Sequence, residues 1–171
     1  MNALTQQFIA AFRNHPAGVA LVTADAGAGP VAMTATSVCS VDADPPTVAF
    51  SASTRSSSTP TLLRASTVVV HLLSARQLDL AQLGATSGVD RFADTSLWQR
   101  LPTGEPLFTD AAAWIRGRVT GTLPAAGGTL FMVEGEEIGG RHTEPDVAVD
   151  PPLVYHSRTW HALGADSQIA V

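Results

Sequence analysis

Between a β-branched run at residues 47–51 and a strand-like run at residues 68–73, the chain reads Ser53-Thr54-Arg55-Ser56-Ser57-Ser58-Thr59-Pro60. Hydroxyls and one arginine crowd just ahead of a helix start. Thr59 is placed as N-cap and Pro60 as the first helical residue, where its missing N–H is no loss. Such a place suits a phosphate. The first helical turn offers free N–H groups and the positive end of a dipole, and the hydroxyls with Arg55 add donors around the same point. A solvated connection has a similar composition, so the segment alone leaves both readings open.

Met33-Thr34-Ala35-Thr36-Ser37 has a different chemistry. Small residues in an extended strand let the backbone approach a planar ligand and offer N–H and C=O groups to its edge, although an ordinary strand with one polar face reads the same way. The five histidines, His15, His71, His142, His156 and His161, fall in no metal-ligand spacing. His156 and His161 flank Arg158 and Trp160 beside a late strand. Trp98 and Trp114 read as packing residues, while Trp160 is left open between packing and a ligand. Gly27-Ala28-Gly29-Pro30-Val31-Ala32 fits the G-x-G-x-x-A phosphate fingerprint, but Pro30 and the β-branched stretch after it favour a hairpin over the helix that the fingerprint needs. No G-x-S-x-G elbow supports hydrolysis. The single cysteine, Cys39, excludes an internal disulfide, and its small, β-branched surroundings predict a buried structural thiol.

The elements that must position these groups are mostly strands. Phe8, Ile9 and Phe12 lie on one face of a short helix over residues 5–14, ended by Pro16 and Gly18. Strands follow at residues 19–23 and 31–37, and a third after the turn at 42–46. Ser74-Ala75-Arg76-Gln77 is a capping box ahead of a helix over residues 77–83. Residues 86–106 read as loop, residues 112–123 and 129–139 as two long strands, and residues 153–155 as a last one. About six strands, few short helices and no βαβ alternation predict a mainly β, antiparallel Greek-key barrel.

At 171 residues the chain suits one domain over residues 1–171 that buries roughly 70% of its unfolded surface. The formal charge of −5 and the lack of a basic cluster argue against a nucleic-acid partner. No apolar run reaches the length of a membrane span, and the first residues lack the pattern of an export signal. The expected location is the cytoplasm.

Taken in order, Pro16-Ala17-Gly18-Val19-Ala20-Leu21-Val22-Thr23, Gly29-Pro30-Val31-Ala32-Met33-Thr34-Ala35-Thr36-Ser37, Asp44-Pro45-Pro46, Arg55-Ser56-Ser57-Ser58-Thr59, Asp90-Arg91-Phe92 and Pro152-Leu153-Val154-Tyr155 resemble the flavin reductase-like domain. That family is the FMN-binding split barrel of short-chain NAD(P)H:flavin oxidoreductases. The resemblance spans residues 8–163. It implies a six-stranded barrel that forms a homodimer, with FMN or FAD at the subunit boundary and NADH or NADPH as hydride donor. The isoalloxazine would run along Thr34, Ala35, Thr36 and Ser37. The ribityl-phosphate would reach Ser51, Ala52 and Ser53, then Ser56, Ser57, Ser58 and Thr59, and Phe92 would close the site. His156, expected to be catalytic, or Trp160 would cover the nicotinamide.

Two departures stand out. His71 replaces an asparagine common beside the flavin, and Ala126-Gly127-Gly128 replaces Gly-Asp-His. The implied function is flavin reduction, with reduced flavin passing to a partner monooxygenase. The Gly127-Gly128 departure keeps open a flavin carrier or sensor, or an oxidase or oxygenase that retains FMN.

Overall fold

A computed structural model describes residues 2–144 and 146–169. Helix α1 (Ala3–Arg13) is capped by Asn2, whose side chain accepts the Thr5 N–H at 2.8 Å, and it places Arg13 in its last turn, where the dipole favours a cation. Strand β1 (Ala17–Gly18) precedes the hairpin of β2 (Ala20–Asp25) and β3 (Pro30–Ala35). Gly27 and Gly29 turn that hairpin at φ of 88° and 106°, and the Asp25 carboxylate accepts both of their N–H groups. The fingerprint-like glycines therefore make a turn.

A second hairpin joins β4 (Cys39–Ala43) to β5 (Pro46–Ser53). Helix α2 (Thr59–Leu62), strand β6 (Thr67–Leu72) and helix α3 (Leu78–Ala85) follow. The Ser74 to Gln77 capping box is present, but it opens a 3₁₀ turn, so α3 proper begins at Leu78. The short strands β7 (Trp98–Arg100) and β8 (Pro106–Phe108) pair inside a segment that sequence punctuation alone assigns to loop. The long strands β9 (Ala113–Ala125) and β10 (Gly128–Gly139) come next, then the hairpin of β11 (Leu153–His156) and β12 (Thr159–Ala162).

Seven strands form one antiparallel sheet in the order β3-β2-β6-β9-β10-β5-β4, one more than the six expected. Beyond β3, Ser37 accepts the Ser51 N–H at 2.9 Å and donates back to the Ser51 carbonyl at 3.3 Å, so the two ends of the sheet meet and it curls into a barrel. Strands β1, β11 and β12 form a separate three-stranded sheet.

The core has two layers because β2 is buried on both faces. Inside the barrel, Val22, Phe50, Val68, Val70, Phe131 and Val133 pack together, with Phe50 and Phe131 stacked at 4.9 Å as register partners of β5 and β10. Burying each such side chain contributes about 1.5–3 kcal/mol. Outside, Leu21, Leu73, Ala81, Phe92, Phe108 and Leu153 form a second cluster under α3. Gly84 permits that approach, since a Cβ there would lie 2.2 Å from Leu21 Cδ1 and 2.4 Å from Thr34 Oγ1.

Candidate active site

The serine-rich loop divides into hydroxyls that hold the fold and donors that remain free. Ser58 Oγ donates to the Ala32 carbonyl at 2.8 Å, and Thr59 Oγ1 donates to the Ser53 carbonyl at 2.7 Å. Both residues are buried. With their only hydroxyl hydrogens spent, neither side chain can donate to a phosphate. The expectation that they do is corrected.

Helix α2 is a single four-residue turn that starts at Thr59, with Ser58 rather than Thr59 in the cap position and Pro60 second in the helix. So short a helix has little aligned dipole, and the sequence argument from a helix end loses its force here. What remains is exposed. The Ser57 N–H and hydroxyl and the Arg55 side chain have no protein partner among the described residues, while Ser53 Oγ and Ser56 Oγ each accept a backbone N–H and keep their own hydrogens. Thr54 fastens this loop to the β9–β10 turn through the Gly127 carbonyl.

Two residues back along β5, Ser51 opens onto a cleft of about 850 Å³. That volume suits a cofactor of flavin size. One wall is formed by Thr36, Ser37, Val38 and Cys39. The opposite wall is α1, through Ile9, Phe12 and Arg13, and the floor is the β11–β12 hairpin from Tyr155 to Arg158. Ser157 N–H donates to the Arg13 carbonyl at 3.0 Å, which ties that hairpin to the helix end. Its two turn residues, Ser157 at φ 51° and Arg158 at φ 65°, adopt the left-handed conformation of a type I′ turn without glycine, at about 1–2 kcal/mol each.

Thr36, Ser37, Ser51 and His156 line this cleft. The other expected residues lie elsewhere. Thr34 Oγ1 donates to the Ala81 carbonyl at 2.6 Å on the α3 side, while the Ala35 and Ala52 side chains belong to the inner core. Phe92 is buried against Trp98 at 4.9 Å and Phe108 at 5.4 Å, so it does not close the cleft. Trp160 packs on Tyr155 at 4.7 Å, outside the cleft lining.

His71 requires the largest correction. It is completely buried, its Nδ1–H donates to the Leu21 carbonyl at 2.9 Å, and its Nε2 accepts the Phe108 N–H at 3.1 Å. Burial pushes its pKa down to about 4, which keeps the ring neutral and its acceptor available. It joins β2 to β8 instead of facing a ligand.

Gly128, where the family histidine would stand, pairs with Ser53, and a Cβ there would lie 2.7 Å from the Ala52 carbonyl oxygen. Backbone, not chance, keeps that position a glycine.

The sequence reading missed the cleft's α1 wall and its hairpin floor. Ile9, Phe12, Arg13 and Tyr155 lie early and late in the chain, and only the pairing of β1 with β11 brings them together. Cys39 also lines the cleft and is exposed, against the expectation of a buried thiol. No group of metal-ligating side chains occurs among the described residues. No described helix is long and apolar enough to cross a membrane.

The family model described as flavin reductase like domain matches residues 12–164. The NADH:FMN oxidoreductase of Rhodococcus qingshengii is 43% identical over 152 residues, covering 89% of this chain and 78% of that protein. The flavin reductase domain protein from Arthrobacter sp. FB24 superposes with a TM-score of 0.85 at 30% identity, covering 94% of this chain and 96% of that one. BorF, the flavin reductase component of a bacterial two-component tryptophan halogenase, superposes with a TM-score of 0.79 at 27% identity over 93% of this chain and 98% of its own. With the family model matched over most of its length and its fold superposing on these relatives, the chain belongs to the flavin reductase-like domain family.

Proposed function

We propose that this protein is an NADH-dependent flavin reductase that uses FMN as its acceptor. The observation that carries the reading is the placement of two binding features on one strand. At Ser51, β5 opens onto a flavin-sized cleft, and at Ser53 it enters the loop whose Ser53, Ser56 and Ser57 hydroxyls and Ser57 N–H remain free for a phosphate. The choice of NADH and FMN is supported by the name of the Rhodococcus relative.

Bound flavin supplies the two-electron acceptor, so the chain needs no nucleophile. Its residues bind, orient and exclude water. The backbone of residues 36–39 presents polar groups to a ring edge, Ser53, Ser56 and Ser57 donate to a phosphate, and His156 covers the hydride donor from the hairpin.

A second copy of the chain completes the site in this reading. Helix α1 buries none of its residues, and Leu4, Phe8 and Phe12 stand 74%, 60% and 60% exposed along one side of it. An apolar stripe of this kind beside the cleft suits a homodimer interface. Reduced flavin then leaves for a partner flavin-dependent enzyme such as a monooxygenase; that BorF is the reductase component of a two-component tryptophan halogenase supports such a division of labour.

Stopped-flow mixing of NADH and NADPH with FMN- and FAD-loaded protein tests the proposal. Rapid bleaching of FMN by NADH is expected. No bleaching in any of the four combinations overturns it and favours a flavin carrier, for which the absent imidazole at Gly128 is the specific observation.

A further inference from the structure

All ten cationic side chains outside the histidines are arginines, and most are committed within the fold. Arg76, Arg100, Arg116, Arg118 and Arg141 pair with carboxylates. Arg91 donates to the carbonyls of Leu83 and Thr86, and Arg64 reaches the Thr61 hydroxyl. Only Arg13, Arg55 and Arg158 make no side-chain hydrogen bond or ion pair among the described residues. Arg55 belongs to the serine-rich loop. The other two line the cleft.

The cleft lining has a second peculiarity. The chain has 15 acidic residues against 10 arginines, yet no carboxylate lines this cavity, whereas His15 and His156 do. An acidic protein thus keeps one concave surface free of acid and sets two unpartnered guanidinium groups in it. The Ser157 N–H bond to the Arg13 carbonyl holds the two arginine backbones together, and Arg158 occupies its turn in the left-handed conformation at φ 65°. A guanidinium offers a planar fork of donors matched to phosphate oxygens, and two such forks match two linked phosphates.

We propose that Arg13 and Arg158 bind the diphosphate bridge of the nicotinamide dinucleotide, on the α1 and hairpin side of the cleft. The inference rests on reading the cleft as the flavin and nicotinamide site. The bridge is that of the nicotinamide dinucleotide. In FAD the phosphate next to the ribityl chain is the FMN phosphate itself, so its bridge starts at the serine-rich loop and does not use the arginines. FMN lacks the bridge, and nicotinamide mononucleotide carries only half of it. The pair therefore sets the preference for the full dinucleotide over the mononucleotide, separately from the groups that hold the flavin phosphate.

The test is calorimetric titration of the oxidised protein with ADP-ribose, NAD⁺, FAD, FMN and nicotinamide mononucleotide. Unmodified protein is compared with Arg13→Gln, Arg158→Gln, the double variant and an Arg118→Gln charge control. In the double variant ADP-ribose and NAD⁺ should bind about tenfold more weakly. FMN and FAD should bind unchanged, nicotinamide mononucleotide should lose less than NAD⁺, and Arg118→Gln should change nothing. Added salt should weaken ADP-ribose binding to the unmodified protein more than to the double variant.

Loss for ADP-ribose and NAD⁺ with FMN and FAD unchanged supports the assignment. Three results overturn it: no measurable binding of ADP-ribose or NAD⁺ to the unmodified protein, unchanged binding of both in the double variant, or an equal loss for FMN or FAD. Both side chains are exposed, and the single variants stand in should the double one unfold. Flavin reduction by NADH in the unmodified protein is scored separately. Its success beside indifferent arginines refutes the inference alone, and its absence beside arginine-dependent ADP-ribose binding refutes the reductase reading alone.

Discussion

Ser58 gives its hydroxyl hydrogen to the Ala32 carbonyl across 26 residues of sequence, at 2.8 Å and out of contact with solvent. Its neighbour Ser57 is exposed and gives its own to no protein group among the described residues. Adjacent serines of one run therefore differ in role. Ser58→Ala should lower stability by about 1–2 kcal/mol, whereas Ser57→Ala should leave stability within about 0.5 kcal/mol. The reverse pattern is expected for ligand: Ser57→Ala should weaken FMN about fivefold and leave riboflavin unaffected. Denaturant melts and fluorescence titrations separate the two, and an equal loss for both flavins would remove Ser57 from the phosphate site.

His71 makes stability depend on pH in a defined window. Its folded pKa of about 4 lies below the ordinary value of 6.5, so the unfolded chain binds a proton that the native chain refuses. Stability is full above pH 6.5 and declines as pH falls toward 4, by roughly 3 kcal/mol in all. Replacing His71 with Asn should flatten that decline between pH 7 and 4.5. Urea midpoints measured across the range check it, and a His71→Asn slope equal to the native one would exclude the imidazole as its source.

Buried Glu105 and half-buried Arg116 form an ion pair, with Arg116 Nη2 2.9 Å from Glu105 Oε1. Burial raises the Glu105 carboxyl, but hydrogen bonds from Arg116, Thr103 and Thr67 outweigh it and hold the pKa at about 2. Its contribution is present above pH 4.5 and is lost as pH falls toward 2, a window below that of His71. Arg116→Leu strands the carboxylate and should cost about 3 kcal/mol, a fall in Tm of roughly 6–12 °C. Arg116→Leu with Glu105→Leu should recover most of that loss. Calorimetry that finds the single and double variants equally destabilised would show that charge burial is not the cause.

His156 lines the cleft and, in the proposed function, covers the hydride donor. His156→Ala should slow flavin reduction by NADH about five- to tenfold and leave FMN affinity unchanged. Gly128→His should not compensate, because its Cβ would lie 2.7 Å from the Ala52 carbonyl oxygen and must displace β10 from β5. Single-turnover rates decide the matter; full activity in His156→Ala assigns the residue to the cleft wall only.

The exposed stripe of α1 makes association measurable. Light scattering should show a dimer at micromolar concentration, and Phe8→Glu should yield a monomer whose barrel still melts cooperatively. A monomeric unmodified chain with flavin bound would contradict the assignment of α1 to an interface.

Much of this architecture was legible in local pattern. The Asp25 to Pro30 hairpin, the Ser74 capping box and the long β9–β10 pair each obey rules that act within a few residues. The motif order pointed to the right family before any coordinates. What stayed hidden depends on long-range geometry. Nothing in Ser56-Ser57-Ser58-Thr59 distinguishes the hydroxyls turned toward Ala32 and Ser53 from those left free, because the acceptors are carbonyls without sequence character. His71 likewise reads as a site residue until β8 closes over it and supplies the Phe108 N–H. Phe92 has the composition of a lid, and only its packing on Trp98 and Phe108 reveals a core residue.

The hydrogen bond from Ser157 to the Arg13 carbonyl also fixes an order of events during synthesis. The strands of the barrel, β2 to β10, leave the ribosome before the hairpin that floors the cleft, so the cluster inside the barrel has all its residues first, while the outer cluster still lacks Leu153. The α1 wall waits, made but unmatched, until residues 153–158 arrive and pair with β1. A cofactor therefore has no finished cleft to enter on an incomplete chain. Translation arrested shortly before that hairpin should release a barrel that is folded and colourless.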